Sequence, residues 1–194
     1  MLKKILTLFC CLMLTFTSVA FAAEQKDDNS NQNEASIINF KSTGYTFKYE
    51  TAPEQVKEYY KQKCKDLNID PDPNAEIFIP DDKNILSLED ESIGTYSQYY
   101  GKYDPDKATI TISGDKNYTI STRTLVGYGH VTKGNNVHCV QLMLRQLNYD
   151  LGLDSSFGPA TYNAVKHFQR GHALTSDGIV GYNTYDVMAN LLRM

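Results

Sequence analysis

Between Asp154 and Leu191 one pattern occurs twice, and no other feature of the chain limits its fold as tightly. Asp154, Gly158, Thr161, Ala164, Val165 and Phe168 return 23 residues later as Asp177, Gly181, Thr184, Val187, Met188 and Leu191. Each copy reads Asp-x3-Gly-x2-Thr followed by apolar residues at three- and four-residue spacing, the period of a helix with one buried face. Gly158 and Gly181 stand where the chain must turn, and Pro159 suits a first helical position, whose N–H has no partner inside the helix. A carboxylate just upstream, Asp154 or Asp177, can accept free loop amides and faces the positive end of the helix dipole. Two short loop-and-helix units are expected. Val137, Val140, Leu144 and Leu147 make a third apolar stripe ahead of them, ended by Asn148, a residue that tolerates the left-handed conformation.

These residues carry a resemblance. Val140-Gln141-x2-Leu144-x2-Leu147-x-Tyr149, then Asp154-x2-Phe157-Gly158-Pro159-x-Thr161-x2-Ala164-Val165-x2-Phe168-Gln169, then Leu174-x2-Asp177-Gly178-Ile179-Val180-Gly181-x2-Thr184 resembles the peptidoglycan-binding domain appended to secreted cell-wall hydrolases. The resemblance covers the last third of the chain and implies an all-α three-helix domain over residues 137–194. It also implies a shallow ligand groove between the helices and their opening loops. Asp154, Phe157, Thr161, Asp177, Val180 and Thr184 would frame that groove, with Gly158, Gly178 and Gly181 at its turns and Tyr162, Gln169, Tyr182 and Asn183 as direct contacts. Ser155 and Asn148 stand where the family has Gly, so the first loop is expected to be remodelled. For Asp154 and Asp177 the plainer reading is that they only cap their loops.

At the other end, Lys3 and Lys4 precede an apolar run from Ile5 to Val19, and Ala20-Phe21-Ala22 supplies small residues at an A-x-A cleavage site. Residues 1–22 therefore read as a signal peptide and 23–36, polar throughout, as a disordered leader. Losing two lysines would take the formal charge from −4 to −6. From Gly134 onward basic and acidic residues balance, so the acidic excess lies in residues 24–133. No cluster of Lys or Arg exists to neutralise phosphates or anionic lipid, which argues against nucleic acid, and against a membrane once the signal is removed. Cys64 and Cys139 would remain in an exported chain. They are either a disulfide, closing a loop worth about 4 kcal/mol in the chain-entropy view, or two buried thiols.

Residues 37–127 read as a small α+β domain. Tyr45, Phe47 and Tyr49 alternate as in a half-buried strand. Thr51-x2-Glu54 makes a capping box for a helix carrying Val56, Tyr59, Tyr60, Cys64 and Leu67. Ile77-Phe78-Ile79 is a short strand, and Thr109–Ser113 and Tyr118–Thr122 form a hairpin about Gly114-Asp115-Lys116-Asn117. Ser87 to Tyr100 fits a helix or a loop with aromatic anchors. Tyr103-Asp104-Pro105-Asp106-Lys107-x-Thr109-Ile110-Thr111-Ile112 resembles, over some twenty residues with its turn, the repeat named for the N-terminal domain of copper amine oxidases; no copper is implied. Gly129 and Gly134 mark 128–136 as a linker.

A catalytic centre is harder to assemble. Cys64 has no His upstream of His130 to serve as base. His130, His138, His167 and His172 form no HExxH pair, so no metal is assigned and no cofactor is implied. Asp81, Asp82, Glu89, Asp90 and Glu91 could offer paired carboxylates, but such a run is usually a solvated face. Six tyrosines from Tyr96 to Tyr128 read first as strand packing, with sugar stacking as the alternative. The expected protein is secreted, cell-wall associated and non-catalytic, with peptidoglycan as its partner. A wall hydrolase with its active site in residues 37–127, or a module gripping a cell-wall protein partner, are the alternatives.

Overall fold

The computed structural model describes residues 37–87, 90, 94–149 and 151–194. The expected signal peptide and leader, and Glu89 and Glu91 of the acidic run, lie outside them. The elements run β1 (Ile38–Lys48), α1 (Glu54–Asp66), β2 (Glu76–Pro80), β3 (Thr95–Asp104), β4 (Thr109–Gly114), β5 (Tyr118–Ser121), α2 (Asn135–Gln146), α3 (Pro159–Gly171) and α4 (Tyr182–Leu191). The strands form one antiparallel sheet in the order β2-β1-β3-β4-β5. Among the described residues no helix is long and apolar enough to cross a membrane.

Alternation along the strands sorts the side chains onto two faces. On one, Ile38 and Phe40 of β1 join Tyr99, Tyr103, Ile110, Ile112 and Ile120 under α2 and the helices that follow it. On the other, Phe47 joins Ile77 and Ile79 beneath Val56, Tyr60 and Cys64 of α1. The first core is continuous from the sheet through Val137, Val140 and Leu144 to Phe168, Tyr185 and Met188. The helices therefore do not close on themselves alone: the inward stripe of α2 is buried against the sheet as well as against α3 and α4.

Several expectations change. The tyrosine-rich stretch before Asp104 is neither helix nor loop but β3, paired with β1 from Ile38–Tyr103 to Thr46–Thr95. Tyr99 and Tyr103 point into the core, while Tyr100 and Lys102 point out. Gly101 sits opposite Phe40, and a Cβ there would fall 2.0 Å from the Phe40 ring, so the glycine leaves room for that ring to lie across the strand. The Thr51 capping box is not made. Pro53 stands at the N-cap of α1 with no side-chain bond, and the Thr51 hydroxyl turns toward the Lys48 carbonyl. The hairpin resembling the copper amine oxidase repeat is not a separate unit, since β4 continues the sheet from β3.

The candidate disulfide is also overturned. Cys64 and Cys139 are both buried, and no disulfide joins them. Cys64 belongs to the core under α1 and Cys139 to the core under α2, so the sheet stands between them. A bridge needs Cα atoms within about 7 Å, less than the thickness of a sheet with a packed layer on each face.

Candidate functional site

The two Asp loops are built alike. In the second, Asp177 Oδ1 accepts the Ile179 N–H at 2.8 Å, and Gln169 of α3 donates from Nε2 to Asp177 Oδ1 at 2.9 Å and to the Ile179 carbonyl at 2.9 Å. The same Gln169 accepts the Gly178 N–H on Oε1 at 2.9 Å. In the first loop Gln141 of α2 repeats every one of these bonds. It reaches Asp154 Oδ1 at 2.7 Å and the Ser156 carbonyl at 3.1 Å, accepts the Ser155 N–H at 3.0 Å, and leaves Asp154 to accept the Ser156 N–H at 2.8 Å. A buried primary amide offers two donors and an acceptor, which matches what a bare Asx turn leaves open. Ser155 adopts φ 60° where Gly178 has φ 77°, so the first loop matches the second despite its serine.

The stretch between sheet and helices, 128–136 with its flanks, ties the two loops together. Val126 exchanges backbone hydrogen bonds with Val180 at 3.0 and 2.8 Å, Phe157 donates to the Thr132 carbonyl at 2.9 Å, and Gly134 donates to the Ser155 carbonyl at 2.9 Å. Tyr128 then lies 5.2 Å from the Tyr162 ring and 5.7 Å from Phe157, while Lys166 extends over Tyr162 at 5.4 Å.

Two open grooves result. One, of about 550 Å³, is lined by the buried Gln169 and Thr184 and by Asp177, Gly181, Tyr182, Asn183 and Leu125. The other, of about 460 Å³, holds Asp154, Gly158 and Thr161 beneath Tyr60, Asp72 and Glu76 from the sheet half. The remaining expected residues lie elsewhere. Val180 is fully buried in its bridge to Val126, and Phe157 is 5% exposed beneath Tyr128. Gly178 is covered by the Tyr162 ring, 2.1 Å from where its Cβ would stand. Gln169, expected as a direct contact, is 1% exposed and commits its amide to the loop, so it holds the groove in shape. Tyr162 and Tyr182 are not equivalent. Tyr182 opens α4 at 40% exposure, and the 23-residue partner of Tyr162 is Tyr185, which is fully buried.

Leu125 and Gln141 were not foreseen as site residues. Gln141 had a visible signal, as a glutamine on the helix that precedes its Asp loop, just as Gln169 lies on the helix before the next; Leu125 had none, because its position depends on the Val126–Val180 bridge. Of the histidines, His167 Nδ1 meets the Tyr149 hydroxyl at 3.0 Å, His172 lies against Phe168 at 4.5 Å, and His138 Nδ1 meets the Tyr118 hydroxyl at 2.6 Å. Among the described residues no three His, Cys, Asp or Glu side chains come together as a metal site.

Comparisons with known proteins agree with this geometry. Residues 39–101 match the PG_binding_5 family model and residues 133–188 the PG_binding_1 model, both described as peptidoglycan-binding domains. The N-acetylmuramoyl-L-alanine amidase CwlL of Bacillus licheniformis is 38% identical over 68 residues, covering 31% of this chain and 19% of the amidase. The N-acetylmuramoyl-L-alanine amidase CwlM of Mycobacterium tuberculosis is 35% identical over 80 residues, covering 40% of this chain and 20% of that protein. The chain thus spans about a fifth of the length of these curated relatives. Among solved structures, a peptidoglycan-binding protein from Clostridioides difficile, crystallised in complex with glutamine hydroxamate, is 42% identical with a TM-score of 0.54, covering 79% of this chain and 96% of its own. The present chain belongs to this peptidoglycan-binding family, with one such domain model matching its sheet half and a second matching its helices.

Proposed function

We propose that the protein is an exported, non-catalytic cell-wall protein that holds peptidoglycan through residues 137–194, acting as an all-α three-helix domain seated on the α+β domain of residues 37–127. The observation that carries this reading is the groove of the second Asp loop. It is held in shape by the Gln169 clamp, and its lining offers the Tyr182 ring, the Asn183 amide and the apolar Leu125 around the buried Thr184. A half-exposed aromatic beside an amide and a hydroxyl suits a neutral, hydroxyl- and amide-rich polymer, held by stacking and hydrogen bonds rather than by charge. The balance of basic and acidic residues beyond Gly134 points the same way. The matching groove at Asp154 is flanked by Tyr60, Asp72 and Glu76, which narrows what it can admit. The solved relative's complex with glutamine hydroxamate supports recognition of amide-bearing parts of the wall.

The non-catalytic reading is supported by coverage: similarity to the amidases extends over a fifth of their length, a part shared with hydrolases rather than a whole one. Purified protein incubated with isolated sacculi tests both halves of the proposal. Retention in the pellet without loss of turbidity is the expected result. Clearing of the suspension would make the protein a hydrolase, and failure to pellet would remove wall binding.

A further inference from the structure

A second cavity, outside the Asp-loop grooves, lies on the sheet face beside α2. It encloses about 460 Å³, within the usual range for a small-molecule site, and is bounded by residues of β1, β3, the β4–β5 turn and α2. Its wall therefore combines residues from both matched domains with Asp115 and Lys116, which lie in neither.

Polar groups at the inner wall are arranged in a way that core packing does not call for. His138 is 1% exposed, and its Nε2 has no hydrogen-bond partner among the described residues; the Ser97 hydroxyl, also buried, has none either. Unpaired buried polar atoms are costly, and where they line a cavity they mark where a ligand's atoms belong. The Tyr118 hydroxyl, 2.6 Å from His138 Nδ1, has burial holding its proton on. Donating that O–H as a hydrogen bond to Nδ1 leaves the neutral imidazole with its own hydrogen on Nε2, as a donor. Burial, followed by the nearby charges of Lys116 and Arg145, pushes His138 down to about 4, so the ring is neutral at physiological pH. Arg145, 3% exposed, lines the same cavity, with Nη2 donating to Thr46 Oγ1 at 2.7 Å and the guanidinium 3.8 Å over the Phe78 ring. Lys48 and Lys116 add positive charge to the lining, and Glu76 and Asp115 add negative charge.

Two neutral donors with cations beside them fit a carboxylate, and the two carboxylates of the lining fit an ammonium. We propose that this cavity binds a free amino acid or the free end of a short peptide, its carboxylate received by His138 Nε2 and Ser97 Oγ. The site is separate from the wall-binding groove, and it can be present or absent whichever way that reading falls.

Isothermal titration of the whole exported chain with glutamine, with alanyl-alanine and with muropeptides released from digested sacculi tests the proposal and separates the two sources of such an end. The expected result is saturable binding of at least one of these. It should weaken at least tenfold in Ser97→Ala and in His138→Phe, while both variants still pellet with intact sacculi as the unaltered chain does. Should His138→Phe fail to fold, Ser97→Ala paired with the rim variant Lys116→Glu carries the same decision. Binding to free amino acid or dipeptide shows a small-metabolite site, and binding to muropeptides alone shows a stem-peptide end. No saturable heat with any probe at millimolar concentration, or binding unchanged in Ser97→Ala and its partner variant, would overturn the proposal. Loss of sacculus retention by the unaltered chain would instead count against the wall-binding groove alone.

Discussion

Gln169 and Asp177 are joined by a 2.9 Å hydrogen bond from Nε2 to Oδ1, and the Gln141–Asp154 pair, at 2.7 Å, repeats it one loop earlier. A buried glutamine on one helix thus sets the loop that opens the next. Removing Gln169 strands the Gly178 N–H and the Ile179 carbonyl together. Gln169→Ala is expected to lower stability by about 2–3 kcal/mol, the cost of a lost buried polar partner plus a small cavity, and Gln141→Ala by a similar amount. Asp177→Asn, which keeps an acceptor oxygen, should cost roughly half as much. Urea denaturation midpoints check the order, and equal values for Gln169→Ala and the unaltered chain would show that the clamp contributes nothing.

Ser155 and Gly178 occupy equivalent positions with φ of 60° and 77°. A non-glycine residue held in the left-handed region carries strain of about 1 kcal/mol, so Ser155→Gly should be neutral to stabilising by up to that amount. The reverse change is unequal. Gly178→Ser adds the same strain and also drives its Cβ toward the Tyr162 ring, 2.1 Å away, and should destabilise by about 2–4 kcal/mol. Thermal melts of the two variants should move in opposite directions or, at the least, by very different amounts.

Cys64 and Cys139 lie in cores on opposite faces of the sheet. Burial also pushes the Cys139 thiol above its ordinary range, which keeps it unreactive while folded. Alkylation in denaturant without reductant should label both thiols by mass spectrometry, alkylation of the native protein should label Cys139 slowly, and reductant should leave the melting temperature unchanged. A mass lower by two hydrogens with no labelling would contradict the separation.

His138 is pushed down to about 4 by burial and then by Lys116 and Arg145. Its ordinary value is near 6.5, so above that pH both folded and unfolded chains hold it neutral and it has no effect. As pH falls from about 6.5 to about 4 the unfolded chain takes up the proton and the folded one does not, so stability falls through that window, by up to about 3 kcal/mol. His138→Gln should flatten the slope of melting temperature against pH between 7 and 4. Identical slopes would show that His138 protonates freely in the fold.

How far the sequence foretells this architecture follows from how local each signal is. The three helices after Gly134 were legible because their apolar stripes, loop glycines and aspartates all act within a few residues. The β4–β5 hairpin was legible for the same reason. β3 was not, because its tyrosines follow no clear helical or strand period, and pairing with β1 across the chain decides its state. β1 reads as a strand only at Tyr45–Tyr49, since its first half carries Ser42, Thr43 and Gly44, which are buried without being apolar. Within the site, Asp177 and its loop could be located, but the roles of neighbouring residues could not. Gln169 turned inward to bond Asp177, Gly178 and Ile179, a use of its amide that apolar periodicity does not register, and Tyr182 rather than Tyr162 reaches the groove because Tyr128, distant in sequence, packs against Tyr162.

Cosedimentation with protein-stripped sacculi, comparing the unaltered chain with its Tyr182→Ala/Asn183→Ala double variant, tests the wall-binding groove most directly. Both side chains line the groove with Leu125, and because the Tyr182 hydroxyl also bonds the buried Tyr103, the variant should melt somewhat lower and is compared well below its own melting temperature. The account predicts that the unaltered chain pellets and the variant stays largely in solution, with affinity reduced tenfold or more. Equal pelleting of the two, or an unaltered chain that remains in the supernatant, would contradict it.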